Sequence, residues 1–250
     1  MTLRDRATFW SRACHDFTEL ILPTSCAGCG QPGIAVCSDC AADCAGEPFR
    51  AEAGARYFGR PCWALAPYRG SVQSIIVAYK DGGRSDLRKY LGLALAISLS
   101  AVVEEQYDRT GRSGELLLVP VPSSRSSIRR RGADVLADCA RRAATELAAS
   151  GIRARVAPML RSGRAVRDQV GLSAVGRQRN VSGSMAVARR RLPIPSGKRR
   201  DATAGPASIV LVDDVITTGA TLAEAARALA GGGHRVDAAA VIAATTKTSS

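Results

Sequence analysis

The chain has 250 residues, 46% of them hydrophobic and only 4% aromatic, which provides one substantial core, or a domain with a small appendage, and excludes a disordered chain. A core built mainly from Ala, Val, Leu and Ile favours helices packed on a sheet. The net charge of +13 raises the expectation of a polyanionic partner, nucleic acid or a phosphate-rich small molecule; much of the excess lies in the runs at 129–131, 189–191 and 198–200, of which the last two equally suit a plain solvated surface.

Taken in chain order, Phe9, Ala13, Phe17, Leu20 and Ile21 recur at helical spacing and predict a short amphipathic helix. Arg12, His15, Asp16 and Glu19 interrupt the segment too often for a secretory leader. Such a helix docks on its own protein or on a membrane surface, and the first is expected. The apolar stretch 91–103 is too short and too interrupted by serine to span a bilayer. A cytoplasmic protein with no membrane partner is therefore expected.

Eight cysteines are many for a cytosolic enzyme of this size unless they bind metal or do redox chemistry. Four fall in CAGCGQPGIAVCSDC, where Cys26, Cys29, Cys37 and Cys40 make a C-x2-C-x7-C-x2-C pattern. Two thiolates two residues apart present two sulfurs to one tetrahedral ion, and two such pairs close its shell. One structural zinc is expected, with a reactive or disulfide-forming set and an iron–sulfur cluster as competing readings. Cys44 stands close enough in sequence to replace a ligand; Cys14, Cys62 and Cys139 read as free thiols, Cys139 on the core face of a helix. An Ala/Gly/Pro-rich tether follows to about residue 59, so residues 1–60 are assigned to helix, cysteine module and tether, and 61–250 to the main domain.

Helical patterns follow at 72–80 and 86–106, the second with Leu87, Tyr90, Leu91, Ala94 and Leu95 on one face, and Asp81, Gly82 and Gly83 break them apart. Strands and helices then alternate: a buried strand at 115–122, a helix at 133–150 with Leu136, Ala140, Ala143 and Leu147 inward, a strand at 152–160, a short helix at 173–180, and a short strand at 185–188. A strand at 209–212, a helix at 221–230 and a strand at 236–243 complete the pattern. This alternation predicts an α/β fold, a parallel sheet with helices on both faces, whose ligands sit beyond the carboxyl ends of the strands.

SIVLVDDVITTGATL falls at that edge. A buried strand disfavours charge, so Asp213 and Asp214 are expected to begin an exposed loop. Unpaired amides at a helix N-terminus attract anions, small Gly219 and Ala220 let a phosphate approach, and Thr217, Thr218 and Thr221 add hydroxyl donors. Two carboxylates beside a phosphate cradle need partners of their own, and vicinal ribose hydroxyls donate to them. The pattern reads as a ribose 5-phosphate site. A P-loop NTPase is disfavoured because no G-x-x-x-x-G-K-[ST] occurs; a receiver domain would place its acids near its start, and a structural turn with a Thr cap remains the bland alternative.

On these residues, IVLVDDVITTGAT resembles the phosphoribosyl diphosphate (PRPP) motif of type I phosphoribosyltransferases. LLLVPVPSSRSSIRRRGADVLA, RDQVGLSAVGRQRNVSGSMAV and the cysteine module are similar to the ComF/GntX branch, and the resemblance spans residues 20–243. It implies that Asp213 and Asp214 hold the ribose hydroxyls and that Thr217, Thr218, Gly219, Ala220 and Thr221 hold the 5'-phosphate. The loop from Pro120 through Pro122 and Ser123 to Arg125 would face the pyrophosphate, with Arg129, Arg130 and Arg131 nearby, and Lys80 in YKDGGR would also reach phosphate. Arg167, Gln169, Arg177 and Asn180 would belong to a mobile cover. Gly132-Ala133-Asp134 stands where the family often has Gly-Phe-Asn.

The function so implied is Mg-dependent transfer of a 5-phosphoribosyl group from PRPP to a small-molecule acceptor. Departure of pyrophosphate asks for charge stabilisation more than for acid–base groups, which agrees with only two histidines, His15 and His234, both read as ordinary. The alternative is a non-catalytic PRPP or nucleotide sensor, or a competence accessory protein that binds nucleic acid during DNA uptake. The motifs do not specify an oligomeric state.

Overall fold

The computed structural model describes residues 25–52, 57–111, 114–123, 125–163, 183–188 and 207–246. The helices expected at 9–21 and 173–180 lie outside the described residues. In chain order the elements are helix α1 (Ser38–Asp43), strands β1 (Phe49–Arg50) and β2 (Cys62–Pro67), and helix α2 (Gly70–Lys80), followed by a 3-10 turn (Ser85–Leu87) and helix α3 (Arg88–Thr110). Next come β3 (Leu116–Pro120), α4 (Arg125–Arg131), α5 (Val135–Ala149), β4 (Ala154–Val156), β5 (Leu160–Ser162), β6 (Met185–Val187), β7 (Ser208–Ile216), α6 (Ala220–Gly231) and β8 (Ala238–Ala244).

Six strands form one sheet in the order β1-β2-β8-β7-β3-β4, parallel throughout except for the edge pair β1–β2. β5 and β6 form a separate antiparallel ribbon. β3 and β8 are buried along their whole length, as uninterrupted apolar strands must be when both faces of a sheet are covered. One face carries α2, α3 and α5, with Ile75, Leu95, Leu99, Cys139, Ala143 and Val210 in a common core. The other carries α6, whose Leu222, Ala225 and Leu229 pack on Ile209, Leu211 and Val119. Each fully buried leucine here contributes about 1.5–3 kcal/mol of transfer free energy. Because β8 is mostly alanine, α3 packs directly on it, and the buried Ser98 hydroxyl is satisfied by the Val241 carbonyl at 2.8 Å.

The cysteine segment does not stand apart: Cys26, Val36, Cys37 and Cys40 share a core with Val72, Ile75 and Ile76 of α2. Ser71 Oγ donates to Asp43 at 2.5 Å, and Arg84 Nη1 donates to the Ser25 carbonyl at 2.9 Å. The tether that follows contributes β1 as the edge strand.

Four expectations need correction. The strand at 209–212 continues to Ile216, so Asp213 and Asp214 lie on β7, partly buried, rather than in an exposed loop. Ladder pairing explains this: Asp213 is opposite Val241 and Ile216 opposite Ala244, so β8 templates the extra residues. The strand at 152–160 is two strands in different sheets, broken at Pro158 where the missing N–H ends pairing. Tyr90 is exposed while Leu87, Leu91, Ala94 and Leu95 are buried; it lies off the inward stripe. Strand β2 joins the sheet where no strand was expected. No helix among the described residues is long and apolar enough to cross a membrane.

Candidate functional site

A cavity of about 630 Å³ opens at the carboxyl ends of β3, β7 and β8. Its polar wall brings together Lys80, Pro122, Ser123, Arg131, Asp213, Asp214, Thr217 and Thr221, residues spread over 141 positions of sequence separation from Lys80 to Thr221. Its apolar wall is supplied by Tyr68, Ile76, Tyr79, Leu136 and Cys139. Thr218, Gly219, Ala220 and Arg129 do not line it, and Arg129 is exposed. The side chains of Arg125 and Arg130 lie outside the described set, as do Arg167, Gln169, Arg177 and Asn180.

The two acids crowd one another. Asp213 Oδ1 accepts from Asp214 N at 2.9 Å, and Asp214 Oδ1 accepts from Val215 N at 2.9 Å. Lys80 Nζ lies 2.6 Å from Asp214 Oδ2. Burial, then the charge of Asp214 and a hydrogen bond to it, push the Asp213 carboxyl well above its ordinary range, with Lys80 opposing. Burial works to deprotonate Lys80, but Asp214, followed by Asp213 and Asp81, outweighs it and holds the ammonium above its usual value.

Groups able to donate to an anion come from a separate element. Gly219 caps α6 at φ +79°, a left-handed conformation that disfavours any side chain, and no side chain caps the helix. The first-turn amides therefore point into the loop as an anion-binding N-terminus does. Only Ala220 N meets a hydroxyl nearby, Thr218 Oγ1 at 3.4 Å.

Sequence reasoning missed how the opposite rim is braced. Arg131 Nη1 donates to the Lys80 carbonyl and stands 3.6 Å from Asp81, with its side chain only 9% exposed, while its buried Nε has no hydrogen-bond partner. Asp134 N-caps α5 by accepting from Ala137 N at 3.4 Å and also accepts from Ser123 Oγ at 3.2 Å. A carboxylate suits that cap. Tyr79 donates to the Val135 carbonyl at 2.8 Å, tying α2 to α5 across the cavity. Cys139, on the wall, is pushed up to about 12 by burial and then by Asp214 and Asp138, which favours the neutral thiol.

The four module cysteines converge. The Sγ atoms of Cys26, Cys29, Cys37 and Cys40 all lie within 4.8 Å of one another, and those of Cys29 and Cys37 are 3.6 Å apart. Sulfurs each about 2.3 Å from one tetrahedral ion stand roughly 3.8 Å apart, so the set fits. A Cβ at Gly28 would approach Cys40 Sγ to 2.5 Å, so glycine is needed for the sulfurs to close up. Burial opposes ionisation of Cys26, but backbone N–H groups of Cys37, Cys29 and Gly28 together outweigh it and hold the thiol at about 6. Cys40 moves the other way, raised by burial and then by the sulfurs of Cys37, Cys26 and Cys29. Cys44 lies outside the cluster, pushed up to about 11 by burial and then by Asp43. No family model matches the chain, and no curated protein matches it.

Proposed function

We propose that the protein binds PRPP and transfers its 5-phosphoribosyl group to a small-molecule acceptor, as a type I phosphoribosyltransferase-like member of the ComF/GntX branch. The observation that carries this reading is the meeting of an acid pair with Thr217 and Thr221, at the start of an uncapped helix, in one cavity at the carboxyl edge of a parallel sheet. Carboxylates accept from vicinal hydroxyls, and helix amides and threonine hydroxyls donate to phosphate oxygens.

In this reading Asp213 and Asp214 orient the sugar diol, and Thr217 and Thr221 hold the 5'-phosphate. Ser123 and Arg131 face the diphosphate from the other rim, and Lys80 stands between. As the C1–O bond breaks, positive charge grows on the sugar beside the acids while negative charge grows on the leaving group beside the cations. Mg2+ held by the diphosphate oxygens would neutralise leaving-group charge. The cysteine cluster is proposed to hold one zinc ion that keeps the module folded against α2.

Incubation with PRPP, Mg2+ and a panel of nucleobases and amines, read as pyrophosphate release, tests the transferase. Turnover with any acceptor supports it; calorimetry showing no PRPP binding sinks it. The net charge of +13 favours a second reading, a nucleic-acid-binding accessory of DNA uptake, and the same cavity without catalysis would make a third, a PRPP sensor. PRPP binding without turnover supports the sensor, and single-strand binding that weakens steeply with salt and survives Asp213→Asn supports the accessory.

A further inference from the structure

The Lys80–Asp214 contact joins the two halves of the cavity. Both oxygens of Asp214 already accept, Oδ1 from Val215 N at 2.9 Å and Oδ2 from Lys80 Nζ at 2.6 Å. The two partners differ in freedom: Asp214 sits on a paired strand with its side chain 16% exposed, whereas Lys80 ends α2 with its side chain 45% exposed. Arg131 fixes only the main chain of Lys80, through its carbonyl. The ammonium is thus free to swing on a clamped backbone, between the acids on one side and the Ser123–Arg131 rim on the other.

We propose that Lys80 exchanges partners: its ammonium leaves Asp214 for the phosphoryl oxygens of a bound diphosphate, which frees Asp214 to accept the sugar hydroxyls of the same ligand. The identity of that ligand rests on the phosphoribosyl reading. A diphosphate offers several negative oxygens where Asp214 offers one, so the transfer is downhill once the anion arrives. A bound diphosphate consequently tightens the diol subsite, and by linkage an occupied diol subsite tightens the diphosphate subsite by the same factor. Lys80 is in this sense a positioning residue for Asp214 as well as an anion contact.

Calorimetry with inorganic pyrophosphate on the full chain tests the exchange through a double-mutant cycle. Asp214→Asn should tighten pyrophosphate about tenfold because Lys80 loses its internal competitor. Lys80→Gln should weaken it, and the tenfold gain should vanish when both changes are combined. An equal gain in the Lys80→Gln background would show that Asp214 merely repels anions and would overturn the proposal, as would pyrophosphate binding in none of the variants. Acetylation of Lys80 read by mass spectrometry needs no Lys80 variant: Asp214→Asn should raise it several-fold and pyrophosphate should suppress it again, and lack of suppression overturns the exchange. Ribose 5-phosphate titrated separately isolates the other claim, since failure to bind it beside an intact cycle refutes the phosphoribosyl reading and leaves the exchange standing.

Discussion

The cysteine module and the carboxyl edge of the sheet each crowd groups of one charge type, but they dispose of that charge differently. Cys26, Cys29, Cys37 and Cys40 face one another, and the Arg84 guanidinium feels the charge of Cys26; one guanidinium does not neutralise four thiolates, so holding them all ionised calls for a metal ion that stays as long as the fold lasts. Asp213 and Asp214 have Lys80 as a built-in counter-ion at 2.6 Å. A group neutralised from within can release its partner and take another. The difference separates a centre suited to a resident metal from one suited to a ligand that comes and goes.

The largest expected effect falls on the module. Freshly reduced protein should carry one zinc per chain by elemental analysis, and Cys40→Ser should abolish it and lower Tm by more than about 10 °C, because a structural zinc site contributes folding free energy outright. Full metal content in that variant would remove the distinction between the two regions. Next, Asp213→Asn combined with Asp214→Asn should weaken PRPP about 100-fold or more in calorimetry, at about 1.5–3 kcal/mol for each charge-assisted hydrogen bond lost. Unchanged affinity would detach the acids from the sugar.

A smaller and opposite effect concerns stability. The folded-state pKa of Asp213 lies above its ordinary 3.8, so the folded protein binds this proton more tightly than the unfolded chain does. Its contribution is therefore most favourable below about pH 4 and is lost as pH rises through the elevated value. Asp213→Asn should raise Tm at pH 8, by about 2–4 °C for each kcal/mol of strain relieved, and the gain should shrink as pH falls toward 4. A gain that grows on acidification would contradict the sign. Last, Asp43→Asn, which weakens the contact with Ser71, should shift Tm by no more than about 2 °C in differential scanning calorimetry.

The central strands and the long helices could be read from the sequence, because Leu116–Pro120, Ala238–Ala244 and the inward stripe Leu136, Ala140, Ala143, Leu147 are governed by hydrophobic periodicity, a local property. Strand β2, Cys62–Pro67, was hidden because its alanines and terminal proline carry little strand preference and its stability comes from pairing with β8, about 177 residues away in sequence. The acids were placed in a loop for a related reason. Charge ends an apolar run, yet the ladder with β8 and the ammonium of Lys80 sustain the strand through them. The arginine run shows a third limit: Arg129 and Arg131 look alike in sequence, but two helical residues point about 200° apart, so one is exposed and the other braces Lys80. The cysteine spacing was legible because two C-x2-C pairs each bring two sulfurs together locally, and the four sulfurs do converge.

Helix α2 touches both centres. Its first turns pack against the cysteine segment through Val72, Ile75 and Ser71, its last residue is Lys80, and Arg84 just beyond reaches back to Ser25 beside Cys26. With zinc in the cysteine cluster and a sugar phosphate in the cavity, as proposed, chelation at one end would unmoor the rod that aims the ammonium at the other, and a cell starved of zinc would lose that ligand without any change to the cavity's own residues.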